Sequence, residues 1–463
     1  MATALASVPA APAGAESLQD ALIAAYTSNP TLEAQRASQM ATDEGFRQAL
    51  AGWLPSVTVG ASYTASDTNV APAGGSASTF TRGGAEDSTS VAITGTQNLF
   101  TGFRTYYGLR QAQDTIEAGR AQLTGVEQTV LFQTVSSYLD VQRDEQVVAL
   151  RKNNVDVLSR QLDAANDRFR VGEITRTDVA QAQARLELAR SNLIQAEAQL
   201  TSSRQAYERV VGRMPETLEP PPALPPLPET EEAATATALD RNPNLVAARE
   251  TEQASRRQVA ISKGVLLPTV SLQARSARSD ITESDSLNED PSAVPFRPET
   301  QSHSDSLTLQ LSMPIYQGGT NYSRIRQSQA LNSRDRLRIA ETQRSVEESV
   351  ANAWESLRSA RGRIASTSEQ VRANEIAYEG VQQEALVGSR TTLDVLDAEQ
   401  ELLDSRVSLV QAKRDEYVAA FNLLSVTGQL TAKDLSLPVD LYDPRENYWA
   451  VRFAPAGFFS LFE

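Results

Sequence analysis

The 463-residue chain contains no cysteine and a single histidine, His303. Without thiols there is no disulfide framework and no thiolate metal site. One imidazole is too few for a histidine-based zinc or iron site. Neither a nucleophile–base pairing nor a phosphate loop nor a metal cluster can be traced, so the chain is not expected to be an enzyme or to carry a cofactor. No run of about 18 apolar residues occurs, which excludes a transmembrane helix of ordinary length. Positive charge is scarce: 43 Lys and Arg stand against 58 Asp and Glu, a net charge of −15. Such a chain repels phosphate backbones, and nucleic acid is not an expected partner.

What the sequence does have is an internal repeat. Asn29-Pro30-Thr31-Leu32 recurs as Asn242-Pro243-Asn244-Leu245, and Leu54-Pro55-Ser56-Val57 as Leu267-Pro268-Thr269-Val270, both at an offset of 213. Phe100-Thr101-Gly102 recurs as Tyr316-Gln317-Gly318, and Val171-Gly172 with Asp178 as Val387-Gly388 with Asp394, at an offset of 216. The offset changes once, in the loop between two strand-like segments, where a three-residue insertion accounts for it. The expected organisation is a signal-peptide remnant over 1–15, a first repeat over 16–212, a Pro-rich joint over 213–232, a second repeat over 233–428 and a C-terminal extension over 429–463. Residues 1–15 are small and apolar and end in Ala13-Gly14-Ala15, but they lack a positive n-region, so an Ala/Pro arm stays open beside the signal reading.

Each repeat reads as helix, strand, loop, strand, long helix, tip, helix. Val57, Val59, Ala61, Tyr63 and Ala65 share one strand face opposite Thr58, Gly60, Ser62 and Thr64. Leu307, Leu309, Leu311 and Met313 alternate with Thr308, Gln310 and Ser312. Val270, Leu272 and Ala274 repeat the pattern, and Val91 and Ile93 begin a weaker copy. Strands of roughly 10 residues with one apolar and one polar face suit a membrane barrel. A soluble half-buried sheet shows the same alternation, so the strands alone leave both readings open. Residues 66–89 and 277–305, rich in Ser, Thr, Gly, Asp and Pro, read as long surface loops, with His303 solvated in the second.

No proline interrupts Phe103 to Phe169, and a helix of that length would span about 100 Å. Leu109, Ile116, Leu123 and Val130 form a heptad stripe that resumes after an 11-residue step at Val141, Val148, Val155, Leu162 and Phe169. Ile325, Asn332, Ile339, Val346 and then Leu357, Ile364, Val371, Tyr378, Ala385 repeat it, step included. The four extra residues are a stutter in a coiled-coil seam. The returning helices carry Val179, Leu186, Leu193 and Leu200, and Val395, Leu402 and Leu409. Four strands cannot close a membrane barrel, and open strand edges are not tolerated in lipid. If the strands span a membrane the chain must oligomerise, and three copies supply 12 strands around a wet lumen.

With these residues in view, the chain from about Glu16 to Leu430 resembles the TolC family of outer-membrane efflux proteins. The motifs that carry the likeness are the duplicated Asn-Pro-x-Leu and Leu-Pro-x-Val, Leu99-Phe100-Thr101-Gly102 with Ile315-Tyr316-Gln317-Gly318-Gly319, and the tip from Val387 to Asp397. The resemblance implies an α+β membrane protein. A homotrimer would form a 12-stranded β-barrel in outer-membrane lipid, four strands per protomer, continued by a periplasmic α-helical barrel, with the C-terminal extension over 429–463 and the Pro-rich joint packed as an equatorial belt around it. It implies as partners a periplasmic membrane-fusion adaptor and an inner-membrane ABC transporter or proton-driven pump.

Asp394 and Asp397 are three residues apart at a helix start, hence on one face. Carboxylates in a first helical turn also simply favour the helix dipole, with Thr391 or Thr392 as N-cap. The resemblance implies that under threefold symmetry they form a periplasmic gate and selectivity ring, and that Arg390, Thr177 and Asp178 make gate-closing contacts. Ala385 stands where the family's gating tyrosine is expected. The segment from Gln429 to Tyr442 resembles the secretion-associated members more than the drug-efflux ones, so the expected function is an exit duct, first for type I protein secretion and alternatively for small molecules. The alternative of another class, a periplasmic coiled-coil adaptor, has no use for four amphipathic strands.

Overall fold

Asn29 and Asn242 show how the two Asn-Pro motifs shape the chain. Asn29 ends helix α1, Leu18–Ser28, and starts α2, Pro30–Ala51; Asn242 does the same between α5, Glu231–Arg241, and α6, Pro243–Gly264. The Asn29 side-chain oxygen accepts from the Thr31 N–H at 2.9 Å, and its amide donates to the Val210 carbonyl at 2.8 Å. Asn242 accepts from Asn244 N–H at 3.0 Å and donates to the Val426 carbonyl at 2.8 Å. One side chain thus caps a new helix and satisfies the frayed end of another. Proline suits the first helical turn, where its missing N–H is not needed, and Leu32 and Leu245 are buried beside it. Replacing Asn29 by Ala strands both partners and is expected to cost about 2–4 kcal/mol. A thermal-unfolding midpoint unchanged from wild type would contradict this.

The computed structural model describes residues 15–70, 82–285 and 299–453. The segment read as a signal remnant, apart from Ala15, and the aromatic tail around Phe458 and Phe459 lie outside the described residues. Strands β1, Ser56–Val70, and β2, Arg82–Phe100, lead into α3, Arg104–Arg170, and α4, Arg176–Val211. Strands β3, Thr269–Asp285, and β4, Glu299–Ser312, lead into α7, Thr320–Leu386, and α8, Thr392–Val426. The chain closes its described part with α9, Pro444–Phe453. Helices α3 and α7 both contain 67 residues, and their start points differ by the 216 seen in the sequence.

Two units divide the chain, each drawing on both repeats. The first takes residues up to Ala41, Glu117–Glu250 and Leu337–Glu446. Its main core joins Leu18, Leu22 and Leu32 with Leu131, Tyr138 and Tyr207. Leu430, Ala432 and Leu437 of the extension belong to this core. The Tyr138 hydroxyl donates to the carbonyls of Glu16 and Glu219, fixing the start of the first repeat and the Pro-rich joint to α3. The Ala432 N–H donates to the half-buried Glu127 carboxylate at 2.7 Å.

The second unit takes Thr42–Ile116, Thr251–Arg336 and the chain from Asn447 onward. It holds an antiparallel four-stranded sheet in the order β1-β2-β3-β4, with Val59 opposite Ile93 and Leu272 opposite Leu309. The strands are 14 to 19 residues long, well beyond the expected ten, and His303 lies within β4 rather than in a loop. The described parts of the Ser- and Thr-rich stretches read as loops, residues 66–70, 82–89, 277–285 and 299–305, are strand. Backbone pairing continues past the point where the side chains turn polar, because the ladder uses only main-chain groups. The apolar face is confined to the part of each strand nearer the helices. Val57 and Leu307 there are 68% and 72% exposed, and the exposed, charged Asp305 marks the upper limit on β4. That band runs over about seven or eight residues, roughly 25 Å measured along the strand. Gly102, with φ of +64°, lets its backbone lie against that of Gly264 where strands give way to helices, leaving no room for a β-carbon. No helix among the described residues is long and apolar enough to cross a membrane.

Candidate functional site at the helical tips

The first unit contains both helical turns, and the same local chemistry builds each. Helix α3 ends with Gly172 at φ +83° and α7 with Gly388 at φ +79°. The following N–H groups, of Glu173 and Ser389, reach back to the carbonyls of Arg168 and Glu384 at 3.0 Å. This is the left-handed glycine stop that satisfies the last carbonyls of a helix. The next helix then starts on a reciprocal cap. Thr175 and Asp178 exchange side-chain and backbone hydrogen bonds at α4, and Thr391 and Asp394 do so at α8.

The two candidate ring residues therefore differ in their surroundings. Asp394 accepts from both the N–H and the hydroxyl of Thr391 at 2.9 Å. Those hydrogen bonds, chiefly from the Thr391 backbone, with a smaller contribution from Arg390, hold its carboxyl below the usual aspartate range. It stays ionised throughout neutral and mildly acidic conditions. Asp397, one turn later and exposed, pairs with Arg185 of α4 at 2.5 Å. Arg390 pairs with Glu384 at 2.9 Å, on its own repeat. Asp178 is engaged in its own helix cap, and Thr177 is exposed beside it. Within the chain, Arg390 and Asp178 thus have separate partners, each local to its own turn.

The first and second repeats meet just behind these turns. Leu396 is buried among Leu158, Ala165, Ala182 and Leu186. Three residues on, the Glu399 carboxylate enters the same seam, only 7% exposed. One of its oxygens accepts from the Asn154 amide at 3.0 Å and the other from the Gln161 amide at 2.8 Å, both on α3. Burial pushes its carboxyl up to about 7, with the two amide hydrogen bonds opposing part of the effect. Tyr378 on α7 borders the same group: burial and the nearby Glu399 raise its phenol, and Gln161 bonds to it. A tyrosine seven residues before Ala385 thus serves this seam while position 385 itself carries only a methyl group.

Sequence reasoning did not find Glu399, Asn154, Gln161 or Arg185. A signal for Glu399 was present: it interrupts an apolar face made by Leu396, Leu402 and Leu403 at three- and four-residue steps. Its partners lie 238 and 245 positions away and have no local mark. No group of acidic or histidine side chains suited to a metal ion occurs among the described residues.

Comparison with known proteins bears on what this arrangement serves. The family model described as outer membrane efflux protein matches residues 21–213 and 235–429. The chain is 34% identical over 437 residues to the outer membrane efflux protein BepC of Brucella suis, covering 94% of this chain and 91% of that one. It is 26% identical over 432 residues to the outer membrane protein TolC of Escherichia coli, covering 91% and 84%. It is 25% identical over 343 residues to the alkaline protease secretion protein AprF of Pseudomonas aeruginosa, covering 71% and 67%.

Proposed function

Because the chain belongs to the outer membrane efflux protein family, we propose that three copies assemble into one exit duct, with the paired helical turns as its periplasmic gate. The protein is a non-enzymatic conduit of the outer membrane that extends into the periplasm. The observation that carries the trimer is the sheet. Its order leaves β1 and β4 as edges, and its apolar face is exposed. Lipid does not tolerate unpaired strand edges, so β4 of one copy pairs with β1 of the next. Three copies close 12 strands, an even number within the range of outer-membrane barrels. Purified in mild detergent, the protein is expected to run as a trimer that heating converts to monomer. A stable monomer that needs no detergent would overturn this reading.

At the gate, threefold symmetry gathers Asp394 and Asp397 into rings of carboxylates, and Arg390 faces Thr177 and Asp178 across the boundary between copies. In this reading the cap of Asp178 on Thr175 and the Arg390–Glu384 pair hold these side chains at the exposed turns, open to a neighbouring copy. The duct receives its cargo from an inner-membrane transporter through a periplasmic adaptor. The favoured cargo is protein delivered by an ABC transporter in type I secretion. The likeness to AprF, described as an alkaline protease secretion protein, supports this. Small-molecule efflux is the second reading, favoured by the stronger match to BepC. Expression in a channel-deficient Gram-negative host separates them. Type I secretion predicts substrate protein in the medium with a secretion transporter and adaptor. Restored drug resistance alone, with a proton-driven pump and adaptor, would give the assignment to efflux.

A further inference from the structure

Helix α9 belongs to neither repeat, and its two faces differ sharply. The inner face joins the second unit's core. Asn447 donates to the buried Asp43 at 3.0 Å, and Tyr448 packs edge-on against Phe46 at 5.3 Å, with Ile116, Leu50 and Leu109 around them. The outer face carries Trp449 and Phe453, one turn apart, their rings stacked at 5.9 Å and 10°. They are 47% and 73% exposed. The Arg452 guanidinium lies within 5.1 to 5.8 Å of the rings of Phe46, Trp449 and Phe453.

The direction of α9 follows from its contacts. Asn447 meets Asp43 and Tyr448 meets Phe46, so α9 rises along α2 toward the strands, and Arg452 reaches back to Phe46 as helical side chains do. At 1.5 Å per residue, Phe453 lies about 7.5 Å beyond Tyr448, while Trp53 lies about 10 Å beyond Phe46. The outer face of α9 therefore arrives within about 3 Å of the level of Trp53. That level is already marked by exposed apolar and aromatic side chains where strands and helices join: Trp53, Leu99, Phe103, Tyr106, Ile315 and Tyr316. The sequence after Phe453 continues the chemistry with Phe458, Phe459, Leu461 and Phe462.

We propose that the Trp449–Phe453 face of α9 is a lipid-docking surface that seats on the periplasmic leaflet of the outer membrane, outside the barrel. It rests on the strands being the membrane-spanning part. Tryptophan and phenylalanine suit the boundary between headgroups and acyl chains, where a ring is wet on one edge and apolar on the other. Arg452, held among the rings, supplies the charge that a lipid phosphate accepts. The occupant is a phospholipid surface rather than a second copy because this face lies at the level of the exposed apolar and aromatic side chains where the strands begin. Docking there would fix the extension to the membrane independently of the strands.

The chain has three tryptophans, Trp53, Trp354 and Trp449. The test uses full-length trimers in vesicles of phosphatidylcholine brominated near the headgroup end of its acyl chains, with each tryptophan left alone by Trp→Phe substitution of the other two. Emission from Trp449 is expected to fall roughly twofold, and that from Trp354, in the first unit, to stay unchanged. Leu309→Trp on the apolar strand face serves as the control; if that residue is not quenched, the membrane reading of the strands fails instead. Trp449 quenched only by acrylamide in the water would overturn the proposal, leaving this face in solvent. Trp449 shielded from both quenchers would overturn it in favour of a neighbouring copy. Where Trp53→Phe impairs assembly, wild type is compared with Trp449→Phe, and the lipid-quenched component must disappear with Trp449.

Discussion

In planar bilayers the reconstituted protein is expected to pass cations in preference to anions and to be blocked by polyvalent cations from the periplasmic side. Asp394→Asn combined with Asp397→Asn should weaken that block by a factor of about ten to a hundred, about 1.4–2.8 kcal/mol. The reason is charge density: the proposed trimer would gather six carboxylates at one constriction, and a polyvalent cation gains from meeting several at once. The two positions are not equivalent. Asp394 carries a full charge held by its helix cap, whereas Asp397 shares its charge with Arg185. Asp394→Asn alone should therefore relieve more of the block than Asp397→Asn alone. Arg185→Gln, which frees Asp397, should tighten it. Block that is unchanged in the double mutant would remove the ring assignment, and equal effects of the two single changes would remove the role given to Arg185.

The second large effect is a dependence of gate opening on pH through Glu399. Its carboxyl in the packed seam sits at about 7, above the ordinary 4.5, because burial penalises the charged form. The packed arrangement thus binds a proton that an opened one, with Glu399 in water, releases. A group raised in this way stabilises packing fully below the ordinary value and loses that contribution as pH rises through about 7. The shift corresponds to a few kcal/mol per protomer at most, and hydration of the opened seam lowers it. Facing groups include Asn154 and Gln161 from α3 and Tyr378 from α7, with Arg160 close to that phenol. Arg185 of α4 is held by Asp397, two residues before Glu399 on α8. Open probability of the isolated channel should accordingly be low at pH 5 and rise toward pH 8. Glu399→Gln keeps the shape and stays neutral, so it should hold the low, acid-like open probability across the range. A Glu399→Gln channel that retains the wild-type pH dependence would rule this out.

Both effects depend on the same feature of the chain, the way one repeat is laid against the other. The sequence alone showed that there are two repeats, where each begins, and that each runs through two strands and two long helices. That much is legible because periodicity is local: the alternation at Val57 to Tyr63 and the seven-residue steps from Leu109 to Val130 are set by the pitch of strand and helix. The turns were legible for the same reason. Gly172 and Gly388 need positive φ, and Thr391 with Asp394 forms a cap from residues three apart. The strands run longer than their composition suggests, because the ladder is made by main-chain groups that polar residues also supply. Ser279 and His303 look like loop residues and yet lie within β3 and β4, opposite Ser302 and Arg278.

What only the tertiary structure decided is which polar groups face one another. Asp397 reads as a free ring carboxylate until Arg185, 212 positions away, is brought beside it. Glu399 reads as a solvated helix face until α3 presents Asn154 and Gln161 to it. The rising direction of α9 appears only from its meeting with Asp43 and Phe46. A side chain's chemistry is written in the sequence, but its solvent and its partner are supplied by segments far along the chain, and these determine whether a carboxylate is a charge, a cap or a proton store.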